Sequence, residues 1–326
     1  MSLLEQFIKD NINTQNRFAQ YDALCILGPT ASGKTKFAVE IAIKLGKMVN
    51  SHFKAGAEII SADSRQVYRG MDIGTGKDIR EYTVNLDGDV RKAINIPCHL
   101  INIVDAGTKY NIFEYQRDFA KAYSSVRERG LIPIICGGSG LYIEAATMGY
   151  ELKEVAPNDE LRESLKECSM EELTTKLTNI LAKKGHLPHN NSDFDSKKRV
   201  IRAIEIAMAE DGFNTSSNLK LPQKCLYVGI DVDRNTRNAR IDARLRARLE
   251  EGMIEEVKRL LDSGIPAANL IYYGLEYKFI TQYIMGELGY NEMVEKLAIA
   301  IHQFAKRQMT WFRGMERKGV AIEWIS

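Results

Sequence analysis

The sequence predicts an α/β fold: a parallel sheet flanked by helices, with a helical subdomain inserted into it. Three observations lead to this fold class. Short apolar runs alternate with stretches of helical periodicity, which is typical of parallel strands joined by crossover helices. The first apolar run ends in a glycine-rich turn that leads into a helix. From 151 to 198 the strand pattern disappears, and charged, leucine-spaced helical stretches replace it.

The elements follow in a regular order along the chain. The predicted strands are 21–27, 58–61, 98–103, 131–136 and 225–231, and 321–325 closes the sheet. Helical patterns at 34–45 and 111–129 separate the strands, and long helices fill 234–319. We therefore expect three parts: an N-terminal extension at 1–20, a core formed by 21–150 and 199–326, and an inserted helical subdomain at 151–198.

Composition indicates an ordinary globular protein. Of the 326 residues, 44% are hydrophobic and 27% are charged, with a net charge of +2, which excludes disordered and collagen-like classes. The longest apolar runs reach five or six residues, whereas a membrane helix needs about 20. The N-terminus mixes charges into its apolar residues and lacks a signal-peptide core, so we expect a cytoplasmic protein with no membrane partner.

Charge and cysteine patterns add little by themselves. Arginines repeat between Arg234 and Arg248 with Asp242 as the only acid, a pattern that by itself favours a solvated helix face. Five scattered cysteines without a C-x-x-C pair indicate neither a disulfide framework nor a zinc site.

A complete phosphate-loop (P-loop) motif follows the first strand. The run Gly28-Pro-Thr-Ala-Ser-Gly-Lys-Thr35 fits G-x-x-x-x-G-K-[ST] and lies between a strand and a helix, as the mechanism requires. Backbone amides of such a loop close around phosphate oxygens, the lysine adds a mobile ammonium, and the threonine hydroxyl can ligate Mg²⁺. The expected diphosphate contacts are Gly28, Thr30, Ala31, Ser32, Gly33, Lys34 and Thr35, with Thr35 as the metal ligand.

A carboxylate follows the second strand. Because ligands of open parallel sheets bind outside the carboxyl ends of the strands, Asp63 is expected to face the phosphate loop. It is a candidate general base. Spacing alone leaves an equal alternative, in which Asp63 holds a metal-bound water or caps the next helix.

Together these motifs resemble those of the tRNA dimethylallyltransferases, also called tRNA isopentenyltransferases. The most specific block is Ser61-Ala-Asp-Ser-Arg-Gln-Val-Tyr-Arg-Gly-Met-Asp-Ile-Gly-Thr75, since a phosphate loop alone is shared by many kinases. Further matching blocks lie at 99–101, 137–142, 199–205, 251–257 and 305–313, so the resemblance covers about Ala23 to Ile325.

The resemblance implies an enzyme that transfers a dimethylallyl group from dimethylallyl diphosphate to the N6 amine of an adenosine adjacent to the tRNA anticodon (position 37), releasing diphosphate. The phosphate loop would then hold a prenyl diphosphate rather than ATP, with Mg²⁺ as cofactor and the anticodon stem-loop as partner of a monomer. Asp63, Thr35 and Lys34 match the catalytic residues, and Arg240 and Arg244 match arginines close to the diphosphate. The implied tRNA contacts are Asp63, Ser64, Arg65, Gln66, Ser139, Arg162, Lys198, Arg199 and Arg202, with 151–198 as a tRNA-binding subdomain.

Some positions depart from the family pattern. They include Ile301-His-Gln-Phe304 and Glu276 in regions that face RNA, and Asn102 in place of a common aspartate. Two alternative functions are an adenylate prenyltransferase and a P-loop small-molecule kinase. The former would not need the helical insertion or the arginine stripe, and the basic last helix argues against the latter.

Overall fold

The computed structural model describes residues 20–49, 56–85, 93–150, 155, 157–184, 196–209 and 219–326. The chain forms two compact units, one built from Met1–Gly149 with Lys220–Ser326 and the other from Tyr150–Leu219. The predicted extension at 1–20 lies almost wholly outside the described residues. No helix in the described ranges combines the length and apolar character that crossing a bilayer requires.

The strands and helices of the larger unit have these bounds. In chain order the strands are β1 (Ala23–Leu27), β2 (Ala57–Ser61), β3 (Tyr68–Arg69), β4 (Thr83–Asn85), β5 (Ala93–Asn95), β6 (Cys98–His99), β7 (Val104–Asp105), β8 (Ile132–Gly137), β9 (Cys225–Ile230) and β10 (Ile322–Ile325). Its first helices are α1 (Lys34–Val49), α2 (Ile112–Glu128) and α3 (Gly140–Thr147). The smaller unit contributes α4 (Asp159–Leu165), α5 (Met170–Lys183) and α6 (Lys197–Met208). The chain then returns to the larger unit with α7 (Arg234–Glu250), α8 (Met253–Asp262), α9 (Ala267–Tyr273), α10 (Leu275–Ile284) and α11 (Tyr290–Arg317).

A six-stranded parallel sheet forms the centre of the larger unit, in the order β10-β9-β1-β8-β2-β6. Every residue of β1 and β2 is buried, as expected for strands covered by other elements on both faces. The predicted α/β fold is therefore confirmed. Its carboxyl edge brings together the loops that follow β1, β2 and β8.

The third predicted strand is shorter than the sequence indicates. The expected run was 98–103, but β6 ends at His99. Leu100 and Asn102 have φ angles of 62° and 56°, in the left-handed region that a strand cannot contain. The amide of Asn102 instead donates to the carbonyl of Gln66 at 3.1 Å, which turns the chain back toward the segment after β2.

A second core forms where α7, α8, α10 and α11 pack. The arginine-rich α7 contributes a narrow apolar stripe that includes Ile241 and Leu245, one helical turn apart. These side chains pack with Val257 of α8, Ile280 of α10 and Leu297 of α11. The stripe fixes which of the arginines on α7 point along the protein surface and which point toward the phosphate loop.

The smaller unit has its own apolar core. Leu173 and Leu177 of α5 pack with Val200 and Ile204 of α6. The sequence predicts that 199–326 belongs to the sheet-containing core, whereas the structure places α6 with the insertion. The reason is the apolar face of α6, which is buried against α5 inside this unit.

Gln308 of α11 links two of the loops at the carboxyl edge of the sheet. Its Oε1 accepts a hydrogen bond from the amide of Thr30 at 2.8 Å, and its Nε2 donates to the carbonyl of Gly138 at 2.8 Å. A Cβ atom at Gly138 would lie 2.4 Å from this Nε2, so only glycine permits the approach. One amide therefore sets the spacing between the loops after β1 and β8.

The segment after β3 is fixed by two buried charged side chains. Glu256 of α8 accepts from the amides of Asp72 and Ile73 at 2.8 Å and from that of Gly74 at 3.0 Å. Lys77 has only 1% of its side chain exposed and donates to Asp72 Oδ1 at 2.6 Å, as well as to Asn102 Oδ1 and the Tyr68 carbonyl. The two side chains hold the turn at 72–77 in one conformation.

A third buried charge joins β2 to α2. Glu58 at the start of β2 accepts hydrogen bonds from both terminal nitrogens of Arg129 and from His99 Nε2 at 2.6 Å. Burial alone raises the pKa of Glu58, but the hydrogen bonds from Arg129 and His99 outweigh it, so the pKa lies below its usual 4.5.

We expect Gln308→Ala to lower the free energy of unfolding by about 1–3 kcal/mol, because the Thr30 amide and the Gly138 carbonyl lose their partner. Urea unfolding at neutral pH measures the change. Gln303→Ala is the matched control, since Gln303 is an exposed glutamine on the same helix and its truncation is expected to stay within about 0.5 kcal/mol. Equal stabilities of the two variants would contradict the linking role of Gln308.

We expect Glu58→Gln to lower the free energy of unfolding by about 1–3 kcal/mol at pH 7, after allowance for the partial exposure of Arg129. A carboxylate whose folded pKa is depressed stabilises the fold above its unfolded pKa, and this contribution is lost as pH falls through the folded pKa. The two proteins should therefore converge in stability at low pH. Urea unfolding at several pH values tests this, and a difference that does not vary with pH would contradict it.

Candidate active site

The phosphate loop has the backbone of an anion-binding site. Ala31 and Gly33 adopt left-handed conformations with φ angles of 61° and 88°, which turn successive N–H groups toward a common centre. The helix α1 begins at Lys34, and the amides of its first turn have no acceptor inside the helix. The hydroxyl of Ser32 is buried and has no hydrogen-bond partner among the described residues. Unpaired donors at a helix N-terminus favour an anionic ligand.

Lys34 is surrounded by groups that the sequence analysis placed in the same site. Burial lowers the pKa of Lys34 from its usual 10.5, and Arg244 acts in the same direction, while Asp63 and Cys136 oppose the shift. The Nζ of Lys34 lies 3.4 Å from the carbonyl of Pro29. Asp63 and Arg244 thus lie close enough to Lys34 to affect the stability of its charge.

Ser139, at the carboxyl end of β8, contacts both chain neighbours of Asp63 at the carboxyl end of β2. The amide of Ser64 donates to Ser139 Oγ at 3.2 Å, and the amide of Ser139 approaches the carbonyl of Ala62 at 3.4 Å. Asp63 Oδ1 accepts from the amide of Arg65 at 2.8 Å. One carboxylate oxygen therefore caps the local turn, and among the described residues the other has no hydrogen-bond donor.

The residues after Asp63 have mixed roles. The guanidinium of Arg65 lies 5.7 Å from the ring centroid of Tyr272, an exposed aromatic side chain. Gln66, by contrast, accepts from Ser61 Oγ at 3.0 Å and donates to the carbonyl of Gly76 at 3.1 Å. The Gln66 amide joins two backbone segments of the site.

The arginines of α7 differ in their surroundings. Arg244 lines a cavity together with Thr30 and Ala31 of the phosphate loop, as do Arg248 and Glu276. Arg240, the other arginine assigned to the diphosphate, lies one turn earlier on the helix, is exposed and does not line this cavity.

Sequence reasoning missed several residues that the structure brings to this site. Arg248 could have been found from its position four residues after Arg244, which places both on one helix face. Asp78 accepts hydrogen bonds from both arginines, and Gln308 links two loops. Both depend on contacts distant in sequence, although Gln308 belongs to one of the blocks that carried the family resemblance.

The smaller unit concentrates basic residues around one buried carboxylate. Arg162 donates to Glu205 through Nε at 2.7 Å and Nη2 at 3.0 Å, and Arg202 Nη1 donates to it at 2.9 Å. Burial alone raises the pKa of Glu205, but the hydrogen bonds from Arg162, the Asn158 amide and Arg202 outweigh it and lower the pKa. Both arginines remain more than a third exposed. Two further basic residues, Lys198 and Arg199, lie exposed in the first turn of α6.

The oxygen donors near the loop suit Mg²⁺. Thr35 is a half-buried residue in the first turn of α1. Among the described residues, no group of three His, Cys, Asp or Glu side chains forms a metal cage. Mg²⁺ often binds through one or two protein oxygens together with substrate phosphates. The Thr35 hydroxyl, together with phosphate oxygens of the substrate, fits that mode.

Comparisons with known proteins identify the family of this chain. The family model described as IPP transferase matches residues 66–315. The chain is 56% identical to the tRNA dimethylallyltransferase 1 of Porphyromonas gingivalis over 93% of either chain. It is 52% identical to the tRNA dimethylallyltransferase 1 of Parabacteroides distasonis, over 94% of this chain and 92% of that one.

A solved structure shows the same architecture. The tRNA isopentenylpyrophosphate transferase from Bacillus halodurans superposes with a TM-score of 0.61 at 31% identity, covering 93% of this chain and 88% of that chain. The resemblance drawn from the motifs is therefore confirmed. The family model matches most of the chain, and the relatives named above are more than half identical to it. The chain therefore belongs to the IPP transferase family.

Proposed function

We propose that the protein transfers a dimethylallyl group from dimethylallyl diphosphate to the N6 amine of an adenosine next to the tRNA anticodon, releasing diphosphate. The observation that carries the proposal is the meeting of three strand ends. The loop after β1 supplies Lys34, the loop after β2 supplies Asp63, and the loop after β8 supplies Ser139. An anion site and a carboxylate thus share one edge of the sheet.

The diphosphate half of the reaction is assigned to the phosphate loop. As the bond between carbon and diphosphate breaks, negative charge grows on the leaving group. Lys34, the first-turn amides of α1 and Arg244 are placed to stabilise that charge. Arg240 is assigned to the same ligand through the resemblance alone, and it lies exposed one turn before Arg244 on α7.

Mg²⁺ is the expected cofactor, and Thr35 would hold it. When bound, the ion would neutralise charge on the diphosphate and so favour its departure.

Activation of the nucleophile, the adenine amine, is assigned to Asp63. The exocyclic amine of adenine is a weak nucleophile because its lone pair is delocalised into the ring, so removal of its proton as the new bond forms is useful. Asp63 Oδ1 is held by the Arg65 amide, which orients the carboxylate and leaves its second oxygen to accept the proton. The capping and general-base roles of Asp63 are therefore compatible.

RNA recognition is assigned to two groups of residues. Ser64, Arg65, Gln66 and Ser139 surround Asp63 and would contact the target nucleotide. In the smaller unit the basic residues would contact phosphates; they are Arg162, Lys198, Arg199 and Arg202. Since its substrate would be a tRNA, we expect the protein to act in the cytoplasm, as a monomer.

One assay tests the proposed function. The protein is mixed with labelled dimethylallyl diphosphate and total tRNA, AMP or no acceptor, and the label is followed. Transfer to tRNA supports the proposal, and digestion of the product identifies the nucleoside. Transfer to AMP would contradict the proposal and would indicate an adenylate prenyltransferase instead.

We expect Lys34→Ala to weaken binding of prenyl diphosphate about tenfold to more than a hundredfold, because a charge-assisted contact of about 1.5–3 kcal/mol is lost. Titration of the protein with the diphosphate measures this. Lys36→Ala is the matched control, since Lys36 is exposed on the same helix. Unchanged binding by the Lys34 variant would contradict the assignment of the diphosphate to the phosphate loop.

We expect Asp63→Asn to lower single-turnover transfer by about 10²–10⁴-fold, because an amide keeps the shape of the carboxylate but accepts no proton. Dissociation constants for tRNA and diphosphate should change less than about tenfold, since Asn still accepts a hydrogen bond. The rates are measured with both substrates saturating, at two Mg²⁺ concentrations.

Mg²⁺ dependence separates the two roles of this carboxylate. If Asp63 only positioned the metal, the variant would lose diphosphate affinity and regain activity as Mg²⁺ is raised. Such a rescue, or a rate near that of the unmodified protein at saturation, contradicts the general-base role and leaves the transfer reaction intact.

A further inference from the structure

Arg244 is already paired with a carboxylate of this chain. Its Nη2 donates to Asp78 Oδ2, and the Nη2 of Arg248 approaches the same oxygen at 3.5 Å. Arg244 and Asp78 keep about a third of their side chains exposed, whereas Arg248 keeps 12%. A carboxylate and a phosphate present the same pair of oxygens to a guanidinium. Asp78 therefore occupies the kind of contact that a diphosphate would make.

The pair lies in the electrostatic surroundings of the phosphate loop. Arg244 lines the cavity that Thr30 and Ala31 also line, and its charge influences the pKa of Lys34. Burial raises the pKa of Glu81, with Asp78 acting in the same direction and Arg244 and Lys34 opposing it. Basic side chains (Lys34 and Arg244) and acidic side chains (Asp78 and Glu81) thus lie together in the surroundings of the expected diphosphate site.

Asp78 is the less mobile member of the pair. It has φ and ψ angles of 44° and 46° and begins the short 3₁₀ helix Ile79–Tyr82, where its carbonyl accepts from the Glu81 amide at 2.8 Å. The preceding Lys77 is anchored by its buried ammonium. Arg244 reaches Asp78 with a long, flexible side chain, so the guanidinium is the group that can change partner.

Arg248 is less free to move. A Cβ atom at Gly76 would lie 1.9 Å from its Nη2, so the guanidinium packs directly on that backbone. Burial and the neighbouring charge of Arg244 lower the pKa of Arg248, and Asp78 and Glu276 oppose them. Two guanidinium groups this close repel each other unless a negative charge lies between them.

We propose that Asp78 is an internal competitor of the diphosphate: it neutralises Arg244 in the ligand-free protein and must be displaced from it when a diphosphate binds. This inference rests on the proposed function and adds a determinant of affinity. Because substrate and product carry the same group, Asp78 weakens the binding of both. It thereby speeds release of the diphosphate product.

The test is Asp78→Asn, measured by titration with inorganic pyrophosphate at fixed Mg²⁺. Asparagine tolerates the left-handed backbone at this position and removes only the charge. We expect affinity for pyrophosphate to rise about two- to fivefold, the range for a partly exposed ion pair. The KM for dimethylallyl diphosphate should fall with it, while kcat does not increase. High salt should reduce the gain.

Asp105→Asn is the matched control. Asp105 forms a mostly exposed ion pair with Arg69 at 2.8 Å on β3 and β7, outside the loop residues described above. Its loss should leave pyrophosphate affinity unchanged. Asp78→Gly is a second variant, since glycine also adopts the left-handed backbone, and it should bind pyrophosphate as tightly as Asp78→Asn.

The outcomes are distinguishable. Weaker or unchanged pyrophosphate binding in the folded Asp78 variants overturns the proposal, because a residue that only orders Arg244 would loosen the site when removed. A gain that does not depend on salt also overturns it. If the unmodified protein itself does not bind pyrophosphate, the proposed diphosphate site is wrong, and the competition fails with it.

Discussion

The buried amide of Gln308 is the contact on which the geometry of the site depends. A parallel sheet fixes where its strands end, but it does not fix the loops that follow them. Gln308 does so for two loops at once, since it offers one donor and one acceptor to backbone groups that come from β1 and β8. Through Ser139 this spacing extends to the loop after β2 and thus to Asp63.

Several basic side chains of this protein, both buried and partly exposed, lie close to carboxylates. Lys77 lies against Asp72, Arg244 and Arg248 share Asp78, and two arginines of the smaller unit share Glu205. In each cluster the acidic partner reduces the repulsion between neighbouring basic groups or the cost of burying them. The arrangement lets a chain with a net charge of only +2 present locally basic surfaces to polyanionic substrates.

Sequence reasoning succeeds where the determinants are local. The phosphate loop could be predicted because its glycines, lysine and flanking strand and helix are contiguous, and Asp63 because it lies two residues after a buried strand. Sequence reasoning fails where contacts between residues distant in sequence determine the structure. The strand at 98–103 ends early because left-handed residues at Leu100 and Asn102 turn the chain. The assignment of α6 and the pairing of Asp78 with Arg244 depend on partners distant in sequence.

The shortness of β6 limits how folded molecules of this protein can associate through the edge of the sheet. This strand lies at one edge of the sheet and contains only Cys98 and His99. An edge strand offers its outer row of backbone groups to any extended segment that can pair with it, and long, flat edges invite such pairing between molecules. The turn at Leu100 limits that row to two residues, so the sheet offers little template for growth at this edge.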